Sequence, residues 1–165
     1  YKRQEDYYNH DVLTHLYTRC KYEHDLKVFQ LANYARLTCI YMDAVGLHEI
    51  NNHLGHEAGD HMLCSIADGI RKYFPDDCAY RIGGDEFAVM LDINLSPDQL
   101  EHLLTQFLRD ISDILEQVTV SCSIGAYRFV FPQEIKHLLT ETDRVLYQAK
   151  ENGRACFVIE DSTEK

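Results

Sequence analysis

Two adjacent carboxylates, Asp85 and Glu86, follow a Gly83-Gly84 pair, and a third, Asp43, closes the apolar run Leu37 to Met42 (LTCIYM). If Asp43 and Asp85 converge, they can hold Mg²⁺, which takes oxygen ligands at ~2.0–2.1 Å and leaves positions for triphosphate oxygens and water. That is equipment for metal-assisted phosphoryl chemistry. With two ions ~3.5–4 Å apart, one lowers the pKa of an attacking hydroxyl while the other neutralises charge on a leaving pyrophosphate. Glu86 is then the adjacent candidate base. The plainer alternative makes Asp85 and Glu86 polar turn residues and Asp43 a loop cap.

Convergence depends on the elements that carry these residues. Helical spacing of Tyr22, Leu26, Phe29 and Leu31 predicts a helix over Lys21 to Tyr34, followed by a buried strand over Leu37 to Met42 that stops at Asp43. A short helical piece around Leu47 to His53 and a longer helix from Gly59 to Phe74, ended by Pro75, come next. Ala79 to Ile82 and Glu86 to Leu91 read as a hairpin, with Gly83 and Gly84 supplying the positive φ of a tight turn. Ser96 caps and Pro97 begins a helix whose apolar stripe runs from Leu100 to Leu115. A strand over Val118 to Ala126, a helix over Ile135 to Glu151 stopped by Gly153, and a strand over Ala155 to Ile159 complete the order.

This order, β-α-α-β-β-α-β-α-β, predicts an α+β domain with a ferredoxin-like, palm-type central mixed sheet, an antiparallel hairpin, and helices on the sheet faces. The first long strand then lies beside the second hairpin strand and runs opposite to it. Asp43 and Asp85 are therefore expected to face each other.

Composition limits the partners. At 165 residues, the chain has the size of one domain, and no apolar stretch reaches the ~20 residues of a membrane span, so no direct membrane contact is expected. Its 27 acidic and 16 basic residues give a net charge of −11, which repels a polyanion over most of the surface and argues against nucleic acid. A small anionic ligand remains compatible, because local cations or a metal reverse the field inside a cleft. Six scattered cysteines form no CxxC pair, which fits a reducing compartment. Residues 1–10 read as the end of a helical connector from a preceding region, and 11–165 as the domain.

RIGGDEF, Arg81 to Phe87, resembles the signature of the GGDEF family of diguanylate cyclases, and four further blocks fall in that family's order. DVLTHLYTR (Asp11 to Arg19) resembles its DxLTGLxNR opening. DAVGLHEINNHLGHEAGD (Asp43 to Asp60) resembles DxDxFKxINDxxGHxxGD. SCSIG (Ser121 to Gly125) resembles TxSxG, and DRVLYQAKENGR (Asp143 to Arg154) resembles ADxALYxAKxxGR. Five ordered blocks are far more specific than one motif.

The resemblance implies Asp43, Asp85 and the Ala44 carbonyl as metal ligands for two Mg²⁺ or Mn²⁺ ions per active site, with Glu86 in catalysis. It implies GTP as substrate, Asn51 and Asp60 reading guanine, and Gly83, Gly84, His48, Lys150 and Arg154 around the phosphates. A carboxylate accepting from guanine N1–H and the exocyclic amine suits that base and not adenine. Left to themselves, Asn51 reads as a helix cap and Asp60 as a solvated residue at a helix start, and Lys150 and Arg154 read more readily as cations complementing a helix C-terminus than as phosphate contacts. The implied reaction condenses two GTP into cyclic di-GMP and pyrophosphate across a homodimer, since one domain supplies half a reaction site. A cytoplasmic location follows, along with an N-terminal sensor or receiver region in a parent protein that is itself free or membrane-anchored.

Three departures matter. Val45 replaces the second Asp of DxD, and His48 replaces a lysine, so weaker GTP binding or turnover is expected; the alternative is a degenerate module that binds GTP or mediates association without turnover. Where the family places an RxxD product-inhibition site, the chain reads FPDD from Phe74 to Asp77, with the arginine missing. The histidine-rich run His53, His56, Glu57, Asp60, His61 lacks the HExxH spacing of a zinc helix.

Overall fold

Strand β2, Leu37–Ala44, grows from the apolar run LTCIYM, and its period of two decides which core each side chain enters. Ile40, Met42 and Ala44 join one buried cluster, whereas Leu37 and Cys39 join another on the opposite face. In the computed structural model, which describes residues 8–32, 36–112, 114–115, 118–129 and 134–162, β2 is a central strand of a six-stranded sheet.

The described elements run β1 (Tyr17–Thr18), α1 (Arg19–Ala32), β2, α2 (Leu47–Leu54), α3 (His56–Tyr73), β3 (Ala79–Arg81), β4 (Glu86–Leu91), α4 (Pro97–Ile111), β5 (Ile114–Leu115), β6 (Val118–Thr119), β7 (Cys122–Phe129), α5 (Ile135–Glu151) and β8 (Phe157–Asp161). The sheet order is β1-β3-β4-β2-β7-β8, with β5 and β6 forming a separate small ladder. β2 is antiparallel to both β4 and β7, while β7–β8 and β1–β3 are parallel. The expected mixed α+β architecture is observed, and Asp43 pairs in register with Glu86, one residue from Asp85.

The helices divide between the two faces. Met62, Leu63, Ile66 and Ile70 of α3 and Leu100, Leu104 and Phe107 of α4 cover the Ile40–Met42 face. Tyr22 of α1 and Leu138 and Val145 of α5 cover the Leu37–Cys39 face. Asp43 has the parity of Leu37 and Cys39, so its side chain belongs to the face on which α5 lies. Ser96 caps α4 as expected: its Oγ accepts from the Gln99 N–H at 3.1 Å, and Gln99 Oε1 accepts from the Ser96 N–H at 2.9 Å, closing a capping box.

Several boundaries differ from expectation. The α4 stripe stops at Ile111 rather than Leu115, because Ile114–Leu115 pairs with Val118–Thr119. The strand expected over Val118 to Ala126 divides into that short piece and β7. β1, parallel to β3 through Tyr17↔Tyr80 and Thr18↔Arg81, is too short to show any periodicity. Gly83 and Gly84 do not adopt the positive φ expected of them. The connection from Arg81 to Glu86 spreads its reversal over four residues, and Gly83 leaves the space that the Glu86 carboxylate folds into, a Cβ there lying 2.6 Å from the movable Glu86 Oε2. Of the expected connector over 1–10, residues 1–7 lie outside the described residues, as does Tyr34 at the end of the first expected helix. All six cysteines are free thiols. Among the described residues, no helix is long and apolar enough to cross a membrane.

Candidate functional site

The turn carrying Asp85 is held from three directions. The Ile82 and Gly83 N–H groups donate to Glu86 O at 2.9 and 3.3 Å, and the Ala44 N–H donates to Asp85 O at 2.8 Å, tying the turn to the end of β2. Arg81 spans a longer distance: its Nη2 donates to Gly84 O at 2.8 Å and its Nη1 to Asp11 Oδ2 at 3.0 Å. Burial alone raises the Asp11 carboxyl, but the Thr14 hydroxyl and N–H together with Arg81 outweigh it and hold the group below its ordinary value. Arg81 is thus a brace between the opening block and the GGDEF turn. Sequence reading gave it no role, because its partner lies 70 residues away and only the charge signs hinted at the pair.

Beside this turn lies a cavity of about 810 Å³. Asp43, Ala44, His48, Asp85, Lys150 and Arg154 all line it, so the expected metal carboxylates and the basic pair meet in one place. Asp43 is 13% exposed and ion-paired with Lys150 Nζ from the end of α5. Burial, and next the charge of Asp43, push the Asp85 carboxyl above its ordinary value, against the opposing pull of a backbone hydrogen bond and Lys150. Two oxygen donors sharing a half-buried site, one already holding a cation, are a donor set suited to a hard divalent ion. Across the β2–β7 ladder from Asp43, the Ser123 hydroxyl is fully buried with no hydrogen-bond partner. The Cys122 thiol beside it is pushed up by burial and by the Asp43 charge, and is no nucleophile.

The other expected residues stand at different distances from the cavity. Asn51 is not among the lining residues, but Leu47 and Leu54, a turn before and after it on α2, are, so its helix face looks toward the cavity. Asp60 is exposed near the start of α3. Glu86 is exposed with its carboxylate folded against Gly83, and Gly84 is open to its surroundings. His48 lines the cavity, but its Nε2 lies 3.1 Å from Asn52 Nδ2, so part of its hydrogen-bonding capacity is engaged within α2. Val118 and Thr119 of β6 also line the cavity, which no motif suggested. Among the described residues, no cluster of three or more His, Cys, Asp or Glu side chains forms a metal cage, and the histidine-rich run gathers none.

After α5 the backbone is left-handed at three consecutive residues, Gly153 (φ 108°), Arg154 (φ 64°) and Ala155 (φ 50°). Only the first, a glycine without a Cβ, suits that region. Arg154 N–H donates to Ala149 O at 3.2 Å, so this backbone closes the helix and presents Arg154 at the cavity.

At the turn where a product-inhibition arginine was found missing, Phe74 is 4% exposed and packs edge-on to Phe107 with ring centroids 6.4 Å apart. The position is part of the core. Cyclic di-GMP is accordingly expected not to bind through Asp77, and calorimetry on Asp77→Ala checks this: any titration that this substitution abolishes contradicts the expectation.

The family model "Diguanylate cyclase, GGDEF domain" matches residues 8–156. Among curated relatives, the diguanylate cyclase DgcS of Shewanella oneidensis is 33% identical over 153 residues, covering 89% of this chain and 51% of that protein. A diguanylate cyclase of Vibrio cholerae is 30% identical over 167 residues, covering 94% of this chain and 51% of that protein. The chain thus spans about half the length of these relatives. Among solved structures, the coiled coil and GGDEF domain of DgcB from Caulobacter crescentus, in complex with c-di-GMP, superposes with a TM-score of 0.87 at 18% identity, covering 98% of this chain and 89% of that one. The GGDEF domain of TpbB from Pseudomonas aeruginosa gives a TM-score of 0.76 at 28% identity, covering 91% and 93%. With the signature turn, the carboxylates beside it and a family match over most of its length, the chain belongs to the GGDEF domain family of diguanylate cyclases.

Proposed function

We propose that this domain transfers guanylyl groups, condensing two GTP molecules into cyclic di-GMP and pyrophosphate as a homodimer. The observation that carries the reading is the convergence of Asp43, Asp85, Lys150 and Arg154 on one cavity of about 810 Å³, a size suited to a nucleotide. Asp43 and Asp85, with the Ala44 carbonyl, would hold Mg²⁺ or Mn²⁺, which when bound neutralises triphosphate charge and acidifies the attacking hydroxyl.

The chain's own residues supply the remainder. Lys150 and Arg154 bind phosphate oxygens from the α5 side, and the Gly83-Gly84 stretch lets backbone approach them without side chains intervening. Asp60 accepts from guanine N1–H and the exocyclic amine, and the Asn51 carboxamide donates to an acceptor on the guanine edge. Glu86, next to the turn, takes the proton of the 3′-hydroxyl, which attacks the α-phosphate of the nucleotide held by the second copy. Incubation with GTP and Mg²⁺, alone and as a forced dimer, with chromatographic detection of cyclic di-GMP and pyrophosphate, tests this; no product from the forced dimer overturns it.

The second reading, a module that binds GTP without turnover, is motivated by Val45 and by His48, whose ring is shared with Asn52. It supposes too little positive charge on the α2 side of the phosphates. His48→Lys is therefore expected to tighten GTP binding about fivefold, the value of one added charge-assisted contact, as measured calorimetrically with a non-reactive analogue.

The left-handed stretch gives a separate test. Arg154→Gly and Ala155→Gly each remove an L-residue penalty of ~1–2 kcal/mol but add ~0.5–1 kcal/mol of unfolded-chain entropy, so both are expected to stabilise by about 0.5–1 kcal/mol. Only Arg154→Gly is expected also to weaken GTP binding. Thermal melts beside calorimetry separate the two effects.

A further inference from the structure

Gly59 lies in the first turns of α3, where alanine is favoured over glycine by about 1 kcal/mol. What keeps a glycine there is visible across the α2–α3 corner. A Cβ at residue 59 would overlap Asn51 Oδ1, approach Asn51 Cγ to 2.9 Å and touch Leu47 Cδ1 at 3.1 Å. The Asn51 carboxamide occupies the volume that any other residue at 59 would fill.

The surroundings make that seat specific. Gly55 N–H donates to Asn51 O at 3.1 Å and Gly59 N–H to Gly55 O at 3.4 Å, so the backbones of the two helices are joined at the corner the carboxamide crosses. Gly59 is itself buried, whereas Asn51 is half-buried. The side chain therefore has solvent to escape into if the seat is filled, and backbone movement is not required.

We propose that Gly59 is a positioning residue for nucleobase recognition: its missing side chain fixes the Asn51 carboxamide across the α2–α3 corner, in the orientation that reads guanine. This rests on the nucleotide reading above and adds to it the reason a helix-weakening residue stands beside the reader. Gly59 touches no substrate and acts only through Asn51. Any side chain at 59 turns the amide away and leaves the phosphate-binding groups, Lys150 and Arg154, untouched.

The test is a double-mutant cycle on the whole chain, with GTP affinity read by calorimetry using a non-reactive analogue and with thermal melts alongside. Gly59→Ala is expected to lower GTP affinity about tenfold, the size of one or two lost hydrogen bonds, while the melting temperature holds or rises on helix propensity. Asn51→Ala is expected to cost a similar factor, and Gly59→Ala added to Asn51→Ala to cost nothing further, because the overlapping atoms are gone. Magnesium tripolyphosphate, which carries no base, is expected to bind wild type and Gly59→Ala alike.

Several outcomes overturn the proposal. Unchanged GTP affinity in Gly59→Ala removes it, and so do losses that add in the double variant or a parallel loss of tripolyphosphate binding. Should Gly59→Ala fail to fold, a folded Asn51→Ala/Gly59→Ala protein supports the seat and an unfolded one overturns it. Failure of wild type to bind GTP overturns the nucleotide reading and this inference with it. GTP binding that is lost in Asn51→Ala but kept in Gly59→Ala overturns this inference alone.

Discussion

Asp85→Asn is expected to yield a folded protein whose cyclic di-GMP production falls by about 10³-fold or more, the scale on which loss of one preorganised electrostatic group at a reacting phosphate is felt. The substitution preserves shape and the Asp85 backbone contact with Ala44 N–H, removing only one negative charge. Stability should move the other way. The folded Asp85 carboxyl titrates above its unfolded value, through burial and the neighbouring Asp43, so the folded state binds that proton more tightly and loses stability as pH rises through the folded pKa. Above the folded pKa that cost is fully present, and the asparagine lacks it. Melting temperatures are therefore expected to be equal or higher for Asp85→Asn at pH 7, with the difference shrinking below about pH 4, where the unfolded carboxyl also protonates. Turnover measured beside melts at both pH values checks the pair; a variant that is inactive and less stable at pH 7 contradicts the charge argument.

Gly125→Ala is expected to be the most damaging single methyl group in the chain. A Cβ there would press on the Leu146 backbone N, with Leu146 Cα at 2.5 Å and Cβ at 2.8 Å. α5 lies with its backbone directly against β7 at this point, so no rotamer change relieves the overlap and the helix itself must lift. The cost is expected to be about 3 kcal/mol or more, a fall of roughly 10 °C in melting temperature for a domain of this size. Leu146→Ala should not rescue it, since all three clashing atoms, N, Cα and Cβ, remain in alanine. Because α5 carries Lys150, any folded remainder should also bind GTP more weakly; chemical denaturation and calorimetry measure both.

How much of this was legible in the sequence depended on the range over which each signal acts. β2, α3, β4 and α5 could be read because apolar residues recur along them at the period of their element, and the element order alone put Asp43 near Asp85. The α4 stripe misled at Leu115 because an apolar residue looks the same at the end of a helix as in a two-residue ladder. Gly83-Gly84 looked like a tight turn, but the connection is longer and one glycine answers to the Glu86 side chain rather than to φ. The left-handed Arg154 and Ala155 could not be anticipated, since neither residue type prefers that region and only their surroundings impose it. The Arg81–Asp11 brace and the Gly59–Asn51 overlap are properties of folded neighbours, absent from any local window.

The two sides of the cavity are also unequal in how firmly they are built. Asp43 lies one residue from the end of an interior strand whose neighbours on both sides are hydrogen-bonded to it, and the Ala44 and Val45 N–H groups are tied to Asp85 and Ser121. A segment like that opens only when most of the domain does. Lys150 and Arg154 instead stand where α5 gives out into a conformation its residues disfavour, held by the helix-closing bond from Arg154 N–H to Ala149 O and by the Lys150–Asp43 ion pair rather than by strand neighbours on both sides. On the nucleotide reading proposed above, the acidic wall would be the fixed jaw and the basic wall the one to adjust, so a triphosphate of changing shape would be followed by the cations while the carboxylates keep their place.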